Sequence, residues 1–315
     1  MKKTLTIVSP VYNEEEGIRD FYENLKRELR SIPDYSTDIL FVVDRCTDNT
    51  LSILKDIAGG DMSVRILALS NRFGYQMSQL AGIDHAKGEA IVTMDSDGQN
   101  PPSLLPKMLA EFENGADIVH AIRTDTEGLN SLRKFQSDIF YWFINKISDV
   151  PIIPNASDYR LISQKVASVL RERVRERNLF LRGIFSWVGF KQAKVPFVAP
   201  LRKHGKTKFS MGRLLQLALT SVVAFSRKPL RAATFVGALF ALGGFLFAVW
   251  TIVEYALGAI KEPGYSTIIV LLAIFGGVQL MFMGVIGEYI GAIFDEVKAR
   301  PHYVVDEAVN IETRY

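Results

Sequence analysis

The chain has 315 residues, with 37 Lys and Arg against 34 Asp and Glu, for a formal net charge of +3. That excess is small and scattered rather than gathered into one basic block, which argues against a nucleic-acid partner. Cys46 is the only cysteine, so an intrachain disulfide and a cysteine-based metal cluster are both excluded. Up to about residue 230, charged and apolar residues alternate as in a soluble domain, whereas 231–292 is largely apolar. The division predicts a cytoplasmic domain over 1–230, a two-helix transmembrane hairpin over 231–292 and a cytoplasmic tail over 293–315.

Leu5 to Ser9 is a short apolar run ended by Pro10, followed by helical spacing through Ile18, Phe21, Leu25 and Leu29. The alternation continues in chain order: strand Ile39–Val43, helix Thr50–Ile57, strand Val64–Leu69, helix Gln76–His85 and strand Ala90–Met94. The N-terminal run is too short and too soon followed by Glu14, Glu15 and Glu16 to be a signal peptide. Strands alternating with helices predict an α/β domain with a mainly parallel sheet, whose ligands bind beyond the carboxyl ends of the strands. Helix Leu104–Asn114, strand Ile118–Ala121 and helices over Ser131–Ile147 and Ser163–Arg175 follow. Segments near 180–190 and 209–226 are amphipathic, and are expected either to lie in a membrane interface or to pack into the core.

Ala232–Leu257 offers 26 residues with Glu254 as its only acid, and Thr267–Glu288 offers 22 with none before the last. Roughly 20 apolar residues suffice to cross the hydrocarbon of a bilayer. Arg227, Lys228 and Arg231 before the first span, with Lys298 and Arg300 after the second, place both ends in the cytoplasm by the positive-inside rule. Gly276, Gly277, Gly284, Gly287 and Gly291 are small enough for close helix contact within one hairpin or between copies, so a homo-oligomer is among the expected assemblies.

The sharpest local feature is Asp95-Ser96-Asp97, directly after an apolar strand, with Gln99 two residues on. Two carboxylates so placed can share a hard divalent cation that also takes phosphate oxygens and water. Asp44 ends its own strand and can accept hydrogen bonds from a base or ribose, whereas Asp48 is better suited to capping the next helix. Arg123, after the next strand, is a further candidate phosphate contact. Arg202, Lys206 and Lys208 precede the second amphipathic segment, where they suit an anionic lipid headgroup or, alternatively, form a solvated face.

Several motifs then join. Ser9-Pro10-Val11-Tyr12-Asn13-Glu14-Glu15, Val43-Asp44 with Thr47-Asp48, Asn71-Arg72-Phe73-Gly74, Asp95 to Pro102, Asp158-Tyr159-Arg160-Leu161, Phe180-Leu181-Arg182-Gly183, Arg202 to Lys208 and Tyr289-Ile290-Gly291 together resemble glycosyltransferase family 2. More narrowly, the chain is similar to the polyisoprenyl-phosphate glycosyltransferases, the group that includes bactoprenol glucosyltransferases and dolichol-phosphate mannose synthases.

The resemblance implies a GT-A fold in which Pro10, Tyr12, Glu14 and Asp44 surround the base and ribose. It implies that Asp95, Asp97 and Gln99 organise Mg2+ or Mn2+ and the donor diphosphate, and that Asp158 lies near the reacting sugar as base or orienting group; the plainer alternative is that Asp158 pairs with Arg160 or a nearby Lys. Arg202 and Lys208 match positions near donor or acceptor phosphates. The implied partners are a nucleotide sugar, a polyisoprenyl phosphate and the bilayer. UDP-glucose is the first-choice donor, with GDP-mannose, UDP-GlcNAc and an aminoarabinose donor as alternatives. A hydroxyl-directed family 2 transferase and a non-catalytic nucleotide-sugar-binding scaffold or flippase are the competing classes. The chain departs from the family pattern in Val43-Asp44-Arg45-Cys46, where Asp-Asp-Gly-Ser is usual, and in Thr207 and Ala292, where Ser and Arg are usual.

Overall fold

The computed structural model describes residues 2–126, 153, 156–200, 228–257 and 264–311. The expected helix over 131–147, the segment near 209–226 and the basic residues Arg202, Lys206 and Lys208 lie outside the described residues.

The strands are β1 (Lys3–Val11), β2 (Tyr35–Val43), β3 (Val64–Leu69), β4 (Ala90–Thr93), β5 (Ile118–Thr126), β6 (Ala156–Ser163), β7 (Gln192–Ala199) and β8 (Val305–Val309). Between and after them run α1 (Ile18–Leu29), α2 (Thr50–Gly60), α3 (Tyr75–His85), α4 (Leu105–Glu113), α5 (Gln164–Arg173), α6 (Leu181–Trp187), α7 (Lys228–Ala256) and α8 (Tyr265–Lys298). All eight strands form one sheet in the order β7-β5-β6-β4-β1-β2-β3-β8.

β4, β1, β2 and β3 are mutually parallel, as alternating strands and helices require. Side chains alternate between the two faces of a strand, and here both faces are covered. Leu5, Ile7, Ile39 and Phe41 pack under α1, α2 and α4, while Val8, Leu40 and Val42 pack under α3, α5 and α6. That is why these strands read as continuous apolar runs. Gly82 lets α3 sit close on the sheet, since a Cβ there would come within 2.1 Å of the Val8 side chain.

Three strands were not legible from periodicity. β6 inserts antiparallel between β4 and β5, β7 pairs parallel with β5, and β8 adds antiparallel to β3. β8 lies beyond α8 in the chain yet joins the same sheet, so the two long helices leave the domain and return to it.

α7 and α8 run 29 and 34 residues. Each contains a 25-residue stretch long and apolar enough on average to cross a membrane, Leu230–Glu254 at mean hydropathy 2.2 and Ile274–Lys298 at 1.5, the second gaining the charges of Glu288, Asp295, Glu296 and Lys298 toward its end. Their apolar side chains are exposed, Phe235, Trp250, Leu272 and Leu280 among them. Exposure of that much apolar surface is what a helix in contact with lipid shows, and a water-exposed helix does not.

In the segment near 180–190, Leu181, Ile184 and Phe185 are buried against the sheet, and Trp187 is exposed. The inner face of α6 is therefore core, the second of the two readings allowed by its sequence.

Candidate active site

The carboxyl ends of β1, β2 and β4 open on one edge of the sheet. β4 delivers Asp95 and Asp97 there. β6 runs the other way, with Thr93 of β4 opposite Arg160 of β6. Asp95 lies two residues past Thr93 and Asp158 two residues before Arg160, so continuing that antiparallel register sets Asp158 across from Asp95, close enough for its charge to act there. The Thr93 hydroxyl donates to the Asp158 carbonyl at 2.8 Å, fixing the join. An antiparallel neighbour thus brings a third carboxylate to the site from 63 positions away in sequence (95 to 158).

Gathering these carboxylates has an electrostatic consequence. Burial, together with the charges of Asp158 and Asp97, pushes the Asp95 carboxyl up to about 6. The Tyr75 hydroxyl donates to Asp95 at 2.5 Å and in turn accepts from Gln79 Nε2 at 2.8 Å, so the first turns of α3 hold this carboxylate. Asp97 accepts the Gln99 backbone N–H at 3.0 Å, closing a turn through Gly98, whose φ of +79° favours a residue without Cβ.

Asp158 behaves differently. Burial alone would raise its pKa, but the Arg182 guanidinium outweighs that and holds it below the ordinary carboxylate value. The contact is a two-pronged ion pair, Arg182 Nε to Oδ1 at 2.9 Å and Nη2 to Oδ2 at 2.6 Å. Arg160, the partner weighed from sequence, stands off at 3.5 Å. Its guanidinium lies 4.3 Å over the Phe185 ring, and burial lowers its pKa to about 10, leaving it cationic at neutral pH. Arg123 adds its charge to the field at Asp158, and its buried Nε has no partner among the described residues.

Arg182 is the site residue that sequence reasoning quoted without giving a role. Its position on α6 is fixed by the burial of Leu181 and Ile184 and by the Leu181 N–H, which donates to Gln76 Oε1 of α3 at 3.0 Å. Its signal in the sequence was a lone cation inside an otherwise apolar Phe-Leu-Arg-Gly-Ile-Phe run.

Around β1 and β2 the residues expected at the base and ribose take varied roles. Pro10 is buried in β1, and Tyr12 is half-buried with the Arg72 guanidinium stacked 4.0 Å from its ring centroid. The Glu14 backbone N–H donates to Thr50 Oγ1 at 3.0 Å and its carbonyl starts the turn into α1. Asp44 is 4% exposed and accepts the backbone N–H groups of Phe73 at 2.7 Å and Gly74 at 3.0 Å. It anchors the 71–74 loop at the head of α3, where Gly74 takes a φ of +92°. Asp48 does not cap α2, whose N-cap is Asn49; it accepts from the N–H and hydroxyl of Thr50, the first residue of α2, and from the Glu15 N–H, tying the 13–15 loop to that helix start. Cys46 sits in a loop, and burial raises its thiol pKa, so it is no activated nucleophile.

Among the described residues no group of three His, Cys, Asp or Glu side chains is poised to cage a metal. Asp95 and Asp97 present oxygen only, with mutual repulsion that a cation would relieve. That donor set fits a hard divalent ion that completes its shell with water and substrate phosphate oxygens.

The sequence matches the model of glycosyl transferase family 2 over residues 6–171 and that of the GtrB C-terminal hairpin over 228–293. It is 38% identical over 304 residues to the SfII prophage-derived bactoprenol glucosyl transferase of Shigella flexneri, covering 96% of this chain and 98% of that one. It is 37% identical over 301 residues to the prophage bactoprenol glucosyl transferase homolog of Escherichia coli K12, covering 96% and 98%. Among solved structures it is similar to glucosyl-3-phosphoglycerate synthase from Mycobacterium tuberculosis in complex with Mn2+ and UDP-glucose, at 15% identity over 70% of this chain and 78% of that one, TM-score 0.48. With a parallel-centred sheet carrying its acidic triplet at the end of β4, and with a lipid-length hairpin behind it, this chain belongs to glycosyltransferase family 2 and has the GT-A fold.

Proposed function

We propose that the protein transfers a hexose, glucose from UDP-glucose, onto undecaprenyl phosphate or a similar polyisoprenyl phosphate, at the cytoplasmic face of the inner membrane and with inversion at the anomeric carbon. The observation that carries this reading is the meeting of Asp95 and Asp97 with the Asp158–Arg182 pair at one sheet edge, in a domain whose chain continues into two helices of lipid-spanning length. The relatives named bactoprenol glucosyl transferases support the acceptor.

The acceptor phosphate needs no strong base, because its second pKa of about 6 leaves it largely ionised near neutrality. That suits a site in which the strongest candidate base is already held ionised by an arginine. Asp158, fixed by two hydrogen bonds, acts as a rigid acceptor that orients a sugar hydroxyl and so sets C1 in line with the incoming oxygen. Tyr12, braced by Arg72, offers a flat face to the base, and Asp44 keeps the 71–74 loop in register beneath it. Arg123, with Arg202, Lys206 and Lys208, supplies positive charge to the donor and acceptor phosphates.

Asp95 and Asp97, with Gln99, would hold Mg2+ or Mn2+, which when bound supplies positive charge to offset the departing nucleotide diphosphate. The domain, the amphipathic segment near 209–226 at the interface and both termini face the cytoplasm, with α7 and α8 as the two crossings and copies associating through the glycine-bearing face of α8. The return of β8 to the sheet supports a hairpin with both ends on one side.

The test is transfer of radiolabelled sugar from a panel of UDP- and GDP-sugars to undecaprenyl phosphate in detergent, with and without Mg2+ or Mn2+. A lipid-linked product from UDP-glucose that requires the metal and is lost in Asp97→Ala is expected. Tight binding of the nucleotide sugar without transfer to any lipid phosphate would overturn the acceptor assignment.

A further inference from the structure

The turn that follows β2 carries a backbone outlier. Arg45 takes a φ of +40°, in the left-handed region where a Cβ crowds the following carbonyl and glycine is the favoured residue. Its side chain is exposed, so packing against the core does not hold it there. A residue stays in such a conformation only where its surroundings over-determine it, and outliers of this kind cluster at functional sites.

The contacts that hold this turn run to two other loops at the same sheet edge. Toward β1, the Asn13 N–H donates to Cys46 Sγ at 3.2 Å. The Asn13 side chain also donates to Thr47 Oγ1 and accepts the Thr47 N–H, each at 2.9 Å, which laces the turn to the residue beside Tyr12. Toward β3, Arg45 Nη1 donates to the carbonyl of Ser70, the first residue past that strand. The Ser70 N–H donates in turn to the Val304 carbonyl at 2.9 Å, so this residue is held at both its backbone polar groups. Ser70 opens the 71–74 loop, and Asp44 holds the far end of that loop through the Phe73 and Gly74 N–H groups. Arg72, which stacks on Tyr12, lies between the two anchors. Consecutive residues of one turn, Asp44 and Arg45, thus fix the two ends of one loop.

We propose that Arg45 is a positioning residue for the donor nucleotide: by holding the Ser70 carbonyl it fixes the near end of the 71–74 loop and keeps the Arg72 guanidinium over Tyr12 before the nucleotide arrives. A loop already ordered in the free protein does not have to lose that freedom on binding, which is how such an anchor raises affinity without touching the ligand. Glycine at this position would relax the backbone and remove the anchor, so backbone ease and nucleotide binding are set against each other at one residue. The inference rests on the reading that Tyr12 and Arg72 receive the donor base.

The experiment is calorimetric titration of the full chain in neutral detergent with UDP and with GDP, in Mg2+, for wild type, Arg45→Gly and Arg45→Lys. Thermal unfolding of each variant and hydrogen exchange over 70–74 in the unliganded protein accompany it. The variants are compared on whichever nucleotide the wild type binds, so an error in the donor assigned above leaves the comparison intact. We expect Arg45→Gly to raise the nucleotide Kd roughly tenfold, equivalent to about 1.4 kcal/mol, and to quicken exchange over 70–74. Its Tm should stay close to that of wild type, because the relaxed backbone offsets the lost hydrogen bond. Arg45→Lys, which keeps one donor but not the planar fork, should fall between the two. In the transfer assay the donor KM should rise by more than kcat falls. A Kd for Arg45→Gly within twofold of wild type would overturn the proposal, as would a wild type that binds neither nucleotide. Weaker binding with unchanged exchange over 70–74 would mean that Arg45 meets the nucleotide directly, and a Tm that falls in step with affinity would reduce it to a structural contact; either result refutes the positioning role.

Discussion

Replacing Arg182 by Ala isolates what the Asp158 ion pair does. The wild-type pair is close and two-pronged, with side chains 32% exposed for Arg182 and 16% for Asp158. Removing one partner of a fully buried pair costs about 3–5 kcal/mol. Partial exposure screens this one, and Arg160 and Arg123 remain nearby, so a loss of about 2 kcal/mol is expected. The pH dependence carries the sharper signal. Asp158 is depressed in the folded chain, so its pair contributes stability above the unfolded carboxylate pKa of about 3.9, and that contribution is lost as pH falls through the folded value. The Tm difference between wild type and Arg182→Ala, followed by intrinsic fluorescence in detergent, should therefore be full at pH 7 and narrow toward acid. Sugar transfer by the variant should fall, and its acidic limb should move to higher pH because Asp158 now protonates more easily. Arg182→Lys should recover part of the stability but less of the transfer, since an ammonium cannot reproduce the fork. A Tm gap independent of pH, with an unmoved activity profile, would refute the assignment of Arg182 as the group that positions and ionises Asp158.

Asp97→Ala should reduce transfer by about 10²-fold or more while leaving Tm nearly unchanged, because among the described residues the carboxylate accepts one hydrogen bond, from a turn N–H. Gly82→Ala should destabilise the domain by about 1–3 kcal/mol, measured by thermal unfolding, since its Cβ would meet Val8 at 2.1 Å and Val42 at 3.1 Å. Tyr303→Phe removes the 2.8 Å bond to Asp84 but leaves that carboxylate its two contacts from Arg175, so a cost of about 0.5–1.5 kcal/mol is expected, with faster hydrogen exchange in β8. A cost above that range would mean that Tyr303 supports more of the C-terminal strand than its one hydrogen bond.

The sequence by itself determined the features that follow from local pattern. Apolar runs bounded by turn residues set β1 to β5, and helical spacing set α1 to α5. Uninterrupted apolar length marked the hairpin, and Asp95 and Asp97 were legible because a charged triplet directly after a buried strand has few structural uses. Each of these signals is contained within a stretch of neighbouring residues, which is the range over which periodicity and capping act. The tertiary structure alone decided the rest. The antiparallel insertion of β6 is a choice of neighbour and register that no local pattern encodes, yet it is what sets Asp158 opposite Asp95. Arg182 finds Asp158 across 24 residues only because α6 buries Leu181 and Ile184, and Asp44 is committed to the Phe73 and Gly74 backbone by the way α3 begins. β8 reads as a short polar tail, and it becomes a strand because β3 has an edge to be covered and α8 delivers the chain to it. Long-range pairing depends on which surfaces remain unsatisfied once the local elements have packed, and that is a property of the assembled fold.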